Sequence, residues 1–197
     1  MSEYYSLFVF LNQFIPVSVE EFSELKAATT IRHFAKSEQI SKAGDTDDHL
    51  YFIVNGLIRG FFLKGKQQVT TSLICEGTIT GAITSFFTGQ PSRYFLQAME
   101  KTTVLILSKN DLEKLYKSNR KWEKLGRVLI THFFLQREMH ILDNIRFSVR
   151  ERFVKFVNEN PTLIQRLPQI YLASYLNIKP ETFSRMKHLI HDKRKTV

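Results

Sequence analysis

The chain has 197 residues, 43% of them hydrophobic, and a formal net charge of +9. That is enough chain for one sizeable core and a small satellite domain. Cys75 is the only cysteine. This excludes an intrachain disulfide and a cysteine-held metal or iron–sulfur cluster within one subunit, and it suits a reducing cytoplasm.

Met1-Ser2-Glu3 carries no basic leader, and the apolar run from Leu7 to Ile15 is interrupted by Asn12 and Gln13. Neither a signal peptide nor a membrane span is expected. Residues 3–14 read as a short helix with one apolar face. Ser18 and Glu21 have the spacing of a capping box, which predicts a second helix to about Ala28. From Thr29 to Ser108 the period changes to two. Thr29–Ala35, His49–Val54, Leu57–Leu63, Gln68–Cys75, Tyr94–Ala98 and Val104–Leu107 read as strands, rich in β-branched and aromatic residues and punctuated by Gly and polar residues. They fit a small antiparallel barrel or jelly roll. Lys109–Lys117 reads as a short helix and Arg120 to about Ile145 as a long one. Ser148 caps a further helix, Val149–Asn158, which Pro161 keeps from continuing.

The long helix has a seam. Leu125, Val128, His132, Leu135, Met139 and Leu142 fall at alternating spacings of three and four, an a/d pattern with one polar member. Leu129, Phe133 and Ile141 form a second apolar face, suited to packing on the β-domain. The alternative is a single helix buried in its own core. Apolar residues on two sides, between two domains, favour a dimer spine. His132 then fixes register, or senses pH beside its symmetry mate.

The tail, Leu167 to Ile190, reads as two short helices around a tight turn. Ile170, Leu172, Ala173 and Leu176 give the first helix, Gln169–Leu176, an apolar side. Asn177 tolerates the left-handed backbone of a tight turn, and Ile178 plugs it. Pro180 opens the second helix at its first position, where a missing N–H costs nothing. Phe183, Met186 and Ile190 form its apolar face. The other face carries Glu181, Thr182, Ser184, Arg185 and His188, flanked by Lys179 and Lys187. Short polar side chains and an Arg near a helix N-terminus are what a helix entering the DNA major groove needs. The bland alternative is a helical hairpin with a solvated face. Charge favours DNA. Residues 146–197 hold eleven Lys/Arg against four Asp/Glu, a net of +7, and the remainder of the chain is only +2. The Lys193-Arg194-Lys195 run alone does not account for that excess.

Gly44-Asp45, then Tyr51-Phe52-Ile53-Val54, then Asn55-Gly56-Leu57-Ile58-Arg59 resemble the glycine-punctuated signature of the cyclic-nucleotide-binding β-roll. A long helix and a terminal helix pair follow. That order resembles the Crp/Fnr superfamily of transcription regulators. The resemblance implies an α+β protein with an antiparallel, jelly-roll-like sensor domain (1–118), a dimerisation helix (119–146) and a helix-turn-helix DNA-binding domain (147–197). It implies double-stranded DNA, a second copy of the chain, an effector and possible contact with RNA polymerase as partners. A winged helix continues for two strands after the reading helix. This chain stops seven residues past Ile190, so a truncated or absent wing is expected.

Cyclic-AMP binders of this type carry a Glu shortly after the cassette glycine and an Arg-Ser-Ala farther on. Here the cassette reads Gly81-Ala82-Ile83, then Arg93-Tyr94-Phe95. Ala82 stands where the ribose-gripping Glu belongs, and Tyr94 and Phe95 replace the small pair. Cyclic AMP is therefore not expected, and the effector is left unknown. Arg93 is either an anion clamp with the helix N-terminus near Gly81 or a structural residue. The reading helix, with Glu181, Ser184 and Arg185, resembles the Fnr-type triplet, and the resemblance implies palindromic half-sites like TTGA.

Enzyme readings find little support. A cupin needs a His-x-His pair, and His49 and His33 stand alone in sequence; Cys75-Glu76 lies at a strand end with no nucleophile motif around it. No catalytic or metal-binding residue is assigned. The expected protein is a dimeric, cytoplasmic DNA-binding regulator with no membrane association. The alternative is a non-enzymatic β-roll that binds a ligand or protein and whose hairpin has lost DNA binding.

Overall fold

The computed structural model describes residues 3–187 and Leu189. The chain divides into two compact units, residues 1–131 and 132–197.

The first unit opens with α1 (Glu3–Asn12) and α2 (Val19–Ala27). The capping box at Ser18 is present: Glu21 N–H donates to the Ser18 hydroxyl, and Ser18 N–H donates to the Glu21 carboxylate. Eight strands follow: β1 (Thr29–Phe34), β2 (Gln39–Ser41), β3 (His49–Asn55), β4 (Leu57–Lys64), β5 (Gln67–Cys75), β6 (Ile79–Thr80), β7 (Phe95–Ala98) and β8 (Thr102–Ser108). The helix α3 (Ile83–Thr88) lies between β6 and β7. The strands form two four-stranded antiparallel sheets, ordered β1-β8-β3-β6 and β2-β7-β4-β5. Six strands fall where the sequence places them, although the burial of β3 and β4 runs through consecutive residues rather than alternating. β2 and β6 are only three and two residues long, too short for periodicity to mark.

The core lies between the sheets. Phe34, Tyr51, Ile53 and Val104 meet Ile58, Leu96 and Ala98 there. Gly56 makes the turn from β3 to β4 at φ +107°. A Cβ there would also come within 2.7 Å of Thr102 Cα, so both conformation and space require glycine.

α4 (Lys109–Ser118) and α5 (Arg120–Arg146) complete the sequence-predicted order, and the boundary between the units falls within α5. In the second unit α6 (Val149–Glu159) starts at a second capping box, made by Ser148 and Glu151. A single turn, α7 (Leu163–Arg166), leads to α8 (Gln169–Tyr175) and α9 (Pro180–Met186). Phe153, Phe156, Leu163, Leu172 and Phe183 are buried here. Phe153 and Phe183 meet edge to face with centroids 5.2 Å apart.

Candidate functional site

Two regions carry the residues singled out by the sequence. The first is the cassette of the β-roll. Gly81 and Ala82 are buried and lead into α3, which ends at Gly89 in the left-handed conformation. Tyr94 reaches back to this corner. Its hydroxyl accepts Ile83 N–H at 2.9 Å and donates to Gly81 C=O at 2.9 Å. Its ring packs against the core between the sheets. The phenol thus takes the first backbone donor of α3, the group an incoming anion would seek. Gly81, Ala82, Ile83 and Tyr94 are brought together, with the Ile83 side chain exposed; Arg93 is solvent-exposed.

Beneath α3 lies a carboxylate the sequence did not single out. Asp47 is buried, and its N–H donates to the Ser85 hydroxyl of α3 at 2.9 Å. Its carboxylate accepts Tyr51 O–H at 3.1 Å and His49 N–H at 3.1 Å. Burial, then the Asp47 charge beside it, pushes the Tyr51 phenol well above its usual range. His49 Nδ1 is 3.0 Å from Asp48 and 3.4 Å from Asp47, so His49 is grouped with acids rather than with a second histidine. Asp47 thus joins β3, through its carboxylate, to α3, through its backbone N–H.

Arg59 on β4 is the largest fully buried side chain. Its guanidinium donates to the Gln68 side-chain oxygen Oε1 and lies 4.1 Å from the Phe61 ring centroid, and Phe61 stacks on Phe95. The signal in the sequence was a charge inside the apolar run Leu57–Phe61.

The second region is the α8–α9 pair. Asn177 adopts φ +56°, and Ile178 N–H donates to Ala173 C=O at 3.0 Å to close the turn. Lys179 is the N-cap of α9 and Pro180 its first residue. Phe183 is fully buried and anchors the helix. Lys179, Glu181, Ser184, Arg185 and Lys187 are exposed and Thr182 is half-buried, so the polar face is presented to solvent. His188 lies outside the described residues. Ile170, assigned from sequence to the apolar side of α8, is exposed.

Along α5, Leu125 is 4% exposed and belongs, with Trp122, to the core of the first unit. Val128 and His132 are half-buried. Leu135, Met139 and Leu142 are exposed, as are Ile130, Phe134, Ile141 and Ile145, the last at 76%. An open groove of about 370 Å³ runs between α5 and α6, lined in part by His132, Leu135, Met139 and Asp143 on one side and Lys155 and Glu159 on the other. The Asp143–Lys155 ion pair and an Arg152–Asn144 hydrogen bond of 2.8 Å hold the α5–α6 corner.

Residues 31–119 match the family described as "Cyclic nucleotide-binding domain". No curated protein sequence matches the chain. Among solved structures, FixK2 from Bradyrhizobium japonicum is similar at a TM-score of 0.70 and 20% identity, over 84% of this chain and 85% of that one. The c-di-GMP-responsive global regulator CLP of Xanthomonas campestris is similar at 0.68 and 15% identity, over 89% and 93%. The catabolite activator protein of Thermus thermophilus is similar at 0.58 and 21% identity, over 93% and 87%. These likenesses concern the fold. Among the described residues no helix is long and apolar enough to cross a membrane.

Proposed function

We propose that this chain, whose residues 31–119 match a cyclic-nucleotide-binding domain, is a Crp/Fnr-like regulator that acts as a homodimer and binds specific double-stranded DNA through α9. The observation that carries the reading is the face of α9. Glu181, Ser184 and Arg185 are exposed at the N-terminal end of a helix whose other side is locked by Phe183. Arg185 suits guanine O6 and N7, and Glu181 suits a cytosine amine on the other strand. The +7 charge of residues 146–197 supplies attraction to phosphates.

The β-roll is read as an effector domain that does not take cyclic AMP. Ala82 provides no acceptor for a ribose hydroxyl, and the Tyr94 phenol occupies the start of α3. The exposed apolar residues of α5, from Leu135 to Ile145, are read as the surface that meets the second copy. This reading places the protein among regulators rather than enzymes.

The test is a mobility-shift comparison of wild type and Arg185→Ala on a selected site and on random DNA. Loss of about 1–3 kcal/mol on the selected site, with random DNA nearly unchanged, is expected. Equal weakening on both would make Arg185 a phosphate contact and remove the basis of the assignment.

A further inference from the structure

We infer that Gln169 is the positioning residue that sets the pitch of α9, an inference that rests on the DNA-reading role proposed above. Its side-chain amide donates to Pro180 C=O at 2.9 Å, linking the first residue of α8 to the first residue of α9 across eleven positions. The tie falls at the N-terminal end of α9. α9 is a seven-residue helix whose N-cap, Lys179, makes no side-chain capping hydrogen bond. Phe183 pins it at one point of the core, and the turn from Asn177 to Lys179 holds it at one end. Thr182 and Met186 are only half-buried, so a short helix packed in this way can still roll slightly about its axis. Gln169 supplies a third point, on the turn that carries Glu181 and lies one turn before Ser184 and Arg185.

The acceptor can serve both partners. Pro180 C=O receives Ser184 N–H in the helix ladder and has a second lone pair for the Gln169 amide. The donor's backbone is set by the start of α8. Gln169 is half-buried at the start of α8, behind Pro168, whose carbonyl accepts Tyr171 N–H at 3.0 Å. A bidentate Arg–guanine contact tolerates only a few tenths of an ångström in each hydrogen bond. A small roll of α9 would therefore cost base reading while leaving phosphate contacts almost intact.

Gln169→Met keeps the length of the side chain and removes the donor; Gln169→Ala removes both. Each full-length variant is compared with wild type by amide exchange along α9 and by affinity for the wild-type-selected site against random DNA. The expected result is faster exchange at Phe183 and Ser184, and a specific-to-random ratio reduced roughly three- to tenfold, with melting temperature and salt dependence unchanged. Unchanged exchange in both variants, or equal weakening on both DNAs, would overturn the inference. A wild type that selects no sequence would contradict the DNA reading, whereas the exchange measurement would still decide whether Gln169 steadies α9.

Discussion

Tyr94 places its own hydroxyl where a ligand oxygen would meet the start of α3, accepting Ile83 N–H and donating to Gly81 C=O. A nucleotide phosphate would have to displace both bonds and find no acidic residue at position 82 for its ribose. Cyclic AMP at ~1 mM is therefore expected to leave the melting temperature unchanged, because ligand linkage vanishes well below the dissociation constant. A saturable rise of several degrees would contradict this reading of the pocket. A second residue-scale test concerns the Ser148–Glu151 box at the start of α6. Hydrogen bonds from the Ser148 hydroxyl and then its backbone N–H hold the Glu151 carboxyl below its usual 4.5. A lowered folded pKa adds stability above the unfolded value and loses it as pH falls through the folded one. Glu151→Gln is thus expected to melt below wild type at neutral pH, the gap closing as falling pH protonates the carboxylate. A gap independent of pH would show that the charge is not what the cap uses. The capping spacing was legible in the sequence because it is local. The Tyr94 contact was not: the substitution was visible, but the reach to Gly81, across thirteen residues, depends on how β7 pairs in the sheet.

At the scale of elements, α5 carries the dimer proposal. The three–four spacing marked Leu125 to Leu142 as one seam, yet Leu125 is buried in the core of the first unit and exposed apolar residues concentrate from Ile130 to Ile145. Periodicity finds an apolar stripe but does not tell which stretch the chain covers with its own core. Leu135→Asp would place a charge within the exposed stretch. It is expected to yield monomers that lose tight DNA binding, since a desolvated, unpaired charge is costly. Sedimentation showing wild type to be monomeric at micromolar concentration would contradict the seam. The strand pattern was read well where strands are long and alternate. β2 and β6 escaped, and so did Asp47, because a loop carboxylate gives no sign in sequence that it will be buried under a helix. Gln169 escaped for the same reason: only the closed turn brings its amide to Pro180.

For the whole molecule, the charge asymmetry of +7 against +2 is what supports the proposed polyanionic partner of the helix pair. Removing positive charge without touching the reading face should weaken all sequences alike. Neutralising Lys193 and Lys195, which lie outside the described residues, is expected to flatten the salt slope by ~2 and to leave sequence preference unchanged. A change in preference would mean that the tail reads bases. The β-roll and the order of elements were legible because they rest on long periodic segments and on glycines whose turns leave little choice. The effector was not, because the cassette departs from the pattern at the positions that would name a ligand.

The most direct measurement of the central claim is selection from a pool of random-sequence duplex DNA by the full-length protein, followed by sequencing of the bound fraction. The account predicts an enriched palindrome with half-sites resembling TTGA, centred roughly 10 base pairs apart, and its loss in Arg185→Ala. Retention of DNA with no enriched motif, or with a motif unchanged in Arg185→Ala, would contradict it.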